Sequence, residues 1–307
     1  MDDEAVTFDY DARDHEIVDY RSFELPGIPG IRLRGPAPEL ESGAYFSCIG
    51  AAQTMGVYVP RPFPEIVGES IGLPPLNMGV GAGWPGLFVD NHPELIEWVN
   101  RGRFAILQVM SARGGATARY DPTGKVEQLR HRETGKVMNS VSAWGRVLAR
   151  EPHYAAQYVA ELRASWVSTN LALVERITVP TILFWFSRRS QDEPVNYSLD
   201  GNLFENMGEF PQFVDRASVE QVAKACAGYC ECLSVRNSGH PLLSRFTGEP
   251  VTVDHASLAG AVTAPGKPQD KNYSGLSIAR NDYYPSPEMH IDAATALERT
   301  IRGLGLA

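Results

Sequence analysis

The chain has 307 residues, of which 43% are hydrophobic and 21% are charged, a composition typical of a globular protein with a sizeable core. Its net charge is −9 at pH 7 and it has no run rich in lysine or arginine, which argues against a nucleic-acid-binding surface. The first residues are acidic, so no signal peptide is predicted. The longest apolar run, near 177–186, is shorter than the roughly 20 residues of a membrane helix. We therefore expect a cytoplasmic protein without nucleic-acid or membrane partners.

Residues 1–42 are polar and rich in proline and glycine, which predicts an irregular N-terminal arm laid over a single domain at 43–307. In that domain, short apolar runs predict buried strands, and apolar residues at helical spacing predict helices. Strands are expected at 44–49, 75–78, 104–110, 181–186 and 230–235, and helices at 63–71, 92–100, 141–148, 153–176, 219–227 and 286–302. Insertions are expected near 114–138, 188–216 and 237–280.

The alternation of strands and helices predicts the fold class. It favours a three-layer α/β/α domain around a mainly parallel five-stranded sheet, with right-handed crossovers and helices on both faces. In open sheets of this kind, ligands bind beyond the carboxyl ends of the strands. The loops that follow the strands should therefore carry the function.

Three of these loops resemble the conserved sequence blocks of SGNH/GDSL hydrolases. The first strand leads into Gly-Ala-Ala at 50–52, where that family has Gly-Asp-Ser. Leu-Asn-Met-Gly-Val-Gly at 76–81 is similar to the family's Leu-Asn-x-Gly-x-Gly passage, whose glycine amide helps to form the oxyanion hole. Asn-Asp-Tyr-Tyr-Pro at 281–285 resembles the Asp-x-x-His-Pro block. The resemblance implies an SGNH-hydrolase-like fold with a flavodoxin-like strand order.

The same resemblance implies that the hydrolytic residues are replaced. Ala51 and Ala52 stand where the family has aspartate and the nucleophilic serine. Asn281 and Tyr284 stand where it has the catalytic aspartate and histidine. The third strand leads into Met-Ser-Ala-Arg at 110–113 rather than Gly-x-Asn-Asp. A serine nucleophile needs an adjacent base, so a standard Ser-His-Asp esterase is not expected.

Most of 44–300 also resembles a family of bacterial proteins that has no established activity. Members of that family have Gly-Ala-Ala-Gln-Thr after the first strand and Tyr-Tyr-Pro-Ser-Pro-Glu-Met-His near the end, as this chain has at 50–54 and 283–290. This resemblance implies a fold and leaves the reaction open.

Residues at the strand ends are suited to hold an anion. Backbone amides at a strand-to-helix turn and arginine side chains both bind phosphate, sulfate or carboxylate groups. We therefore expect a small-molecule, anionic ligand at this edge, although the arginines have a simpler alternative role as partners of nearby carboxylates. The candidate ligand-binding residues are Gly50, Ala51, Ala52, Gln53, Thr54, Asn77, Gly79, Gly81, Ser111, Arg113, Arg188 and Asn281.

Three residues near the end of the chain are candidates for proton transfer. His290 and His240 are possible general bases because histidine titrates near neutral pH. Tyr284 is a possible hydrogen-bond donor to a developing charge. The alternative for each is a local packing or capping role.

Neither a metal nor a particular cofactor is predicted. Cys226, Cys230 and Cys232 match no common zinc spacing. Gly-x-Gly-x-x-Gly at 81–86 contains Pro85 and does not open a helix, so it does not indicate a dinucleotide site. The oligomeric state is also left open.

Three functions are compatible with these residues. The first is group transfer, in which an acyl or sulfuryl group moves to a sugar or small metabolite. The second is ligand binding without catalysis. The third is hydrolysis with an unusual nucleophile, Thr54 or Ser111, although no adjacent base activates either in the sequence.

Overall fold

The computed structural model describes residues 10–124, 128–200, 203–254 and 277–307. Its strands, numbered in chain order, fall into one large sheet and three small ones. They are β1 (Phe46–Gly50), β2 (Pro75–Gly79), β3 (Ala105–Gln108), β4 (Tyr120–Pro122), β5 (Gln128–His131), β6 (Val137–Asn139), β7 (Thr181–Ser187), β8 (Gly228–Leu233), β9 (His240–Pro241), β10 (Val253–Asp254), β11 (Ser277–Ile278) and β12 (Arg280–Asn281).

The helices surround the large sheet. They are α1 (Tyr10–Asp14), α2 (Ala52–Met55), α3 (Phe63–Ile71), α4 (Leu95–Arg101), α5 (Ser140–Arg150), α6 (Ala155–Arg176), α7 (Leu203–Asn206), α8 (Arg216–Ala223) and α9 (Pro287–Gly303), with a π-helical turn at Leu87–Asn91 and a 3₁₀ turn at Pro152–Tyr154. In the part of the chain that the structure describes, none of them is both long enough and apolar enough to cross a membrane.

The large sheet has five strands in the order β2-β1-β3-β7-β8, and every neighbouring pair is parallel. This is the predicted α/β/α class, and the strand order is the predicted flavodoxin-like one. The carboxyl ends of β1 and β2 lie side by side, because Gly50 is in register with Gly79. The sheet therefore brings the predicted loops to one edge.

Alternate residues of each buried strand pack into two different core layers. On β7, Phe184 and Phe186 contact the cores of α3 and α9, whereas Leu183 and Trp185 face the layer that contains α4, α5 and α6. All seven residues of β7 are buried, as expected for a central parallel strand with helices on both faces. The resulting core holds the strand ends in place.

The N-terminal arm packs over the carboxyl edge of the sheet. Arg34 forms an isolated antiparallel bridge with Asn77 of the edge strand β2. Its guanidinium donates to the backbone carbonyls of Met55 and Gly56 at the end of α2, at 3.1 and 2.9 Å, and to that of Pro60 at 2.9 Å. These bonds fasten the arm to the turn that follows β1.

The predicted insertions differ in their structure. The one near 114–138 contains a three-stranded antiparallel sheet, β4-β5-β6, where a small hairpin was expected. The loop at 188–216 contains α7 and a cis Phe210–Pro211 peptide. In the third insertion, β9 pairs with β12 and β10 with β11, while residues 255–276 lie outside the described part of the chain.

Candidate functional site

The turn after β1 is held by a buried glutamine. Gln108, at the end of β3, accepts hydrogen bonds at Oε1 from the backbone amide of Ala51 at 3.0 Å and from the hydroxyl of Thr54 at 2.6 Å. Gln108 and Thr54 are completely buried. The amide of Ala51 and the Thr54 hydroxyl, both predicted to serve a ligand, therefore bond within the protein.

The loop after β2 lies against the same turn. Asn77 donates from Nδ2 to the carbonyl of Thr54 at 3.0 Å and accepts at Oδ1 from the amide of Gly79 at 2.9 Å. A Cβ atom on Gly79 would lie 2.1 Å from the backbone nitrogen of Met55. Only glycine allows this approach, so Gly79 has a packing role in the structure.

Three of the predicted residues come together where β9 meets β12. His240 is in register with Asn281. The Asn281 side chain donates to the carbonyl of Tyr284 at 3.0 Å and accepts from its amide at 2.8 Å. Burial lowers the pKa of His240, so its imidazole is neutral near pH 7. Within the described residues its Nδ1 atom has no hydrogen-bond partner.

The other predicted residues have protein partners. Arg188 donates to Glu209 at 2.9 Å from Nε, and from Nη1 to the Ser238 hydroxyl at 2.8 Å and the Asp282 carbonyl at 2.7 Å. Arg188 thereby connects three loops. Its pairing with Glu209 is the alternative role expected for these arginines, that of a partner of a nearby carboxylate. Ser111 is buried, accepts from the Arg113 amide at 3.3 Å and contacts the Gln212 carbonyl at 3.4 Å.

His290 lies in the core rather than in an open pocket. Its Nδ1 atom accepts a hydrogen bond from the amide of Phe63 at 3.0 Å, at the start of α3, and its ring stacks on that of Phe63. Burial lowers the pKa of His290 to about 3. Its role as a base stays a prediction, and the observed contacts are those of a capping and packing residue.

The N-terminal arm adds residues that the sequence did not single out. Arg13 binds the adjacent Asp14 through two hydrogen bonds, at 2.5 and 2.7 Å. Its guanidinium carbon lies 4.7 Å from the centre of the Tyr10 ring and 5.2 Å from that of Tyr58. The centres of the Tyr284 and Tyr58 rings lie 5.7 Å apart, with the ring planes at 75° to each other. Arg13, Tyr10, Tyr58 and Tyr284 are called the arginine–tyrosine cluster below.

This cluster covers the turn after β1. A Cβ atom on Gly81 would lie 2.2 Å from the Tyr10 hydroxyl, so the two residues are in contact. Ala52 is 5% exposed and shares a hydrophobic cluster with Tyr58, against which Tyr10 and Tyr284 pack. Ala52 and Tyr284 therefore belong to the same hydrophobic cluster beside the turn after β1.

Electrostatics keep the cluster in one protonation state. Burial disfavours the charge on Arg13, but the hydrogen bonds and charge of Asp14 outweigh it and hold the arginine pKa above its usual value. Burial raises the pKa of both Tyr58 and Tyr284. At neutral pH the cluster therefore has one cation and phenols that can donate hydrogen bonds.

One signal could have indicated two of these residues from the sequence. Tyr10 and Arg13 are three residues apart in an acidic segment, which places them on one face of a helical turn. The segment is nevertheless predicted to be irregular, because residues 1–42 are polar and rich in proline and glycine. Nothing local predicts that Arg13 meets Tyr58, 45 residues later.

A comparison with models of known protein families finds a match over most of the chain. Residues 9–120 and 145–304 match the model described as "Domain of unknown function (DUF6473)". No curated protein matches the chain.

Solved structures also resemble the chain. One is a carbohydrate esterase family 2 enzyme with a carbohydrate-binding domain from Corynascus thermopiles (Myceliophthora fergusii), at 10% identity and a TM-score of 0.40, covering 90% of this chain and 70% of that one. Others are a putative SGNH hydrolase from Slackia heliotrinireducens and a putative lipolytic protein of the G-D-S-L family from Desulfitobacterium hafniense DCB-2, each at 12% identity and a TM-score of 0.33, covering 84% of this chain and 99% of theirs.

Proposed function

For this chain, which belongs to the DUF6473 family, we propose a ligand-binding function in which the arginine–tyrosine cluster recognises a small anionic molecule without Ser-His-Asp hydrolysis. The observation that carries the proposal is the position of Arg13. Its side chain lies between two tyrosine rings, over the turn where the resembling hydrolases place their nucleophile. The site thus combines a cation with aromatic walls at the edge where open α/β sheets bind ligands.

The residues at this turn support binding rather than serine hydrolysis. Ala52 has no nucleophilic atom, and Tyr284 is a weak base because its phenol stays protonated. Asn281 uses both ends of its side-chain amide on the backbone of Tyr284. Asn281 therefore positions Tyr284 and does not orient a base.

The donors of the cluster support an anionic ligand. Nε and Nη2 of Arg13 bind Asp14, and among the described residues no other acceptor bonds the guanidinium. The Arg13 side chain is 5% exposed, so its Nη1 atom can donate only to a ligand that enters between the tyrosine rings. The Asp14 carboxylate is completely buried and also accepts from Tyr20 at 2.7 Å. A phosphate, sulfate or carboxylate would find donors here, with the acidic partner turned inward.

His240 supports group transfer as a second candidate. Its imidazole is neutral, it lies beside Asn281, and its Nδ1 atom is buried with no partner in the described residues, so an acceptor hydroxyl would have to enter the site to reach it. Such a group can accept a proton from an acceptor hydroxyl. In that case the anionic part of an acyl or sulfuryl donor would bind at Arg13.

The binding proposal is tested by calorimetry with a panel of anions: coenzyme A, adenosine bisphosphate, nucleotide sugars, phosphate and sulfate. Tyr284→Phe removes only a hydroxyl, and we expect about tenfold weaker binding if that hydroxyl donates to the ligand. Arg13→Lys should weaken binding further, because lysine lacks the planar fork. The matched controls are Tyr197→Phe, an exposed tyrosine, and Arg302→Lys, an exposed arginine on α9.

Two outcomes would contradict the proposal. Binding that is unchanged in both Tyr284→Phe and Arg13→Lys would place the ligand elsewhere. The unmodified chain should not hydrolyse a simple ester such as p-nitrophenyl acetate at this turn. If it does, and Ala52→Gly abolishes that activity, the turn is catalytic and the proposal is wrong. Acyl transfer from an acyl-coenzyme A that is lost in His240→Gln, with coenzyme A binding retained, would favour the second candidate.

A further inference from the structure

A groove runs along the outer face of α6, between that helix and α8. Its volume is about 690 Å³, larger than a few waters would fill. It lies on the helical layer of the domain and is separate from the arginine–tyrosine cluster. Its walls include Ala164, Val167, Ser168 and Leu171 of α6 and Ser218 and Gln221 of α8.

The outer face of α6 is unusual for a helix in contact with water. Exposed helical positions normally carry charged residues. Between Arg163 and Glu175, the outward positions are Ala164, Ser168 and Leu171, and the leucine side chain is 38% exposed. On α9, by contrast, Glu298 and Arg302 lie four residues apart on an exposed turn and form an ion pair. The central turns of α6 are therefore apolar, with opposite charges at their two ends.

We propose that this groove is the docking site for α6 of a second copy of the chain, packed antiparallel about a two-fold axis at Ser168. Such an arrangement places Ala164 against the partner's Ala172. It also brings Arg163 within two residues of the partner's Glu175, about 3 Å along the helix axis at 1.5 Å per residue. A parallel arrangement would place like charges together.

The ends of the groove can form the required ion pairs. Arg163 donates to the Phe213 carbonyl at 2.8 Å and pairs with Asp215 at 2.9 Å, and its side chain remains 29% exposed. A further carboxylate can therefore approach its outer side. Glu175 is exposed at the other end of the groove. Two symmetric Arg163–Glu175 pairs would close the interface at its rim, where ion pairs select the orientation.

Long-range repulsion sets the conditions under which the dimer forms. Each copy has a net charge of −9, so two copies repel each other at low salt. Physiological salt limits such interactions to a distance of about 8 Å. The dimer is therefore sought at physiological salt, where this repulsion is screened and adjacent groups such as Arg163 and Glu175 can still pair.

The test is sedimentation velocity of the full chain at physiological salt. We expect a concentration-dependent dimer. Ser168→Arg places two arginines on the axis and should give a monomer at concentrations where the unmodified chain dimerises. Ala156→Arg, also exposed on α6 but outside the groove, should leave the dimer unchanged. A chain that stays monomeric at its highest soluble concentration would overturn the proposal.

Cross-linking tests the position of the axis independently. In Ser168→Cys, the two introduced thiols meet on the axis, and mild oxidation should join them in a disulfide between copies, which needs Cα atoms about 6 Å apart. Ala156→Cys should not cross-link. A dimer that persists in Ser168→Arg and does not cross-link through Ser168→Cys would show that another surface forms it.

Discussion

Replacing Gly79 with alanine should strongly destabilise the protein, because α2 lies directly on this residue. The added Cβ atom would be 2.1 Å from the Met55 nitrogen and 2.7 Å from its Cα atom. Carbon atoms make favourable contact at about 3.5 Å or more, so the backbone of α2 would have to move by roughly 1 Å. Gly79 is outside the left-handed region, so the cost is one of space and not of backbone strain.

The magnitude follows from how firmly α2 is held. Added methyl groups in a packed core cost about 1–3 kcal/mol, and sometimes more. Here the obstacle is backbone rather than a flexible side chain, and Arg34 and Gln108 both bond the turn that must shift. We expect a loss of about 3 kcal/mol. At roughly 2–4 °C per kcal/mol for a chain of this size, the melting temperature should fall by about 6–12 °C.

Thermal and urea unfolding measure this effect. Gly303→Ala is the matched control, because nothing lies within 4 Å of its added Cβ atom and it is in helix α9. It should be neutral, or stabilising by up to about 1 kcal/mol. If Gly79→Ala unfolds at the same temperature as Gly303→Ala, the close packing of α2 on β2 is wrong, and so is the geometry inferred for the turn beneath the cluster.

Three further predictions concern stability. Arg34→Met should cost about 3 kcal/mol in urea unfolding, because it removes three hydrogen bonds of a buried guanidinium, two of them to the buried end of α2, whereas Arg61→Met, at an exposed site, should cost less than about 1 kcal/mol. His290 stays neutral in the folded state down to about pH 3 but takes up a proton below about pH 6.5 when the chain is unfolded. The free energy of unfolding should therefore fall with decreasing pH in that window, by up to about 1.4 kcal/mol per pH unit. His290→Leu, compared across the same pH range, should have a smaller slope, and an equal slope would contradict the buried imidazole. Ser286→Ala removes the N-cap bond to Met289 at 3.1 Å and should cost about 1 kcal/mol; a change within error would argue against the cap.

Much of the fold could be predicted from local sequence patterns. All five central strands and their parallel orientation follow from apolar runs that alternate with helical spacing, whereas the strand order followed from the resemblance to SGNH/GDSL hydrolases. Helix α3 has the predicted bounds, 63–71, because Pro62 and Gly72 enclose its apolar pattern. The two small-sheet insertions were harder to predict, since their strands are two to four residues long and, in the second insertion, β9 pairs with β12 far along the chain.

The candidate site was predictable only in its location. The carboxyl edge of the sheet follows from the fold, and the loop residues that lie there can be read in sequence order. Which of them are available to a ligand depends on partners far along the chain. Arg188 meets Asp282, and His290 meets Phe63, across 94 and 227 residues. Because of these contacts, Arg188, predicted to bind an anion, and His290, predicted to be a base, both have hydrogen-bond partners within the protein.

The sequence by itself determined the elements, their order and the edge at which the loops meet, because helical and strand periodicity arise from interactions between near neighbours. Only the tertiary structure decided that the N-terminal arm places Arg13 beside Tyr58 and Tyr284 over Ala52. The arm has no strong local pattern, and its position depends on burying Tyr20 and on the carbonyls that Arg34 reaches. Such long-range packing depends on the whole folded surface, and no short segment encodes it.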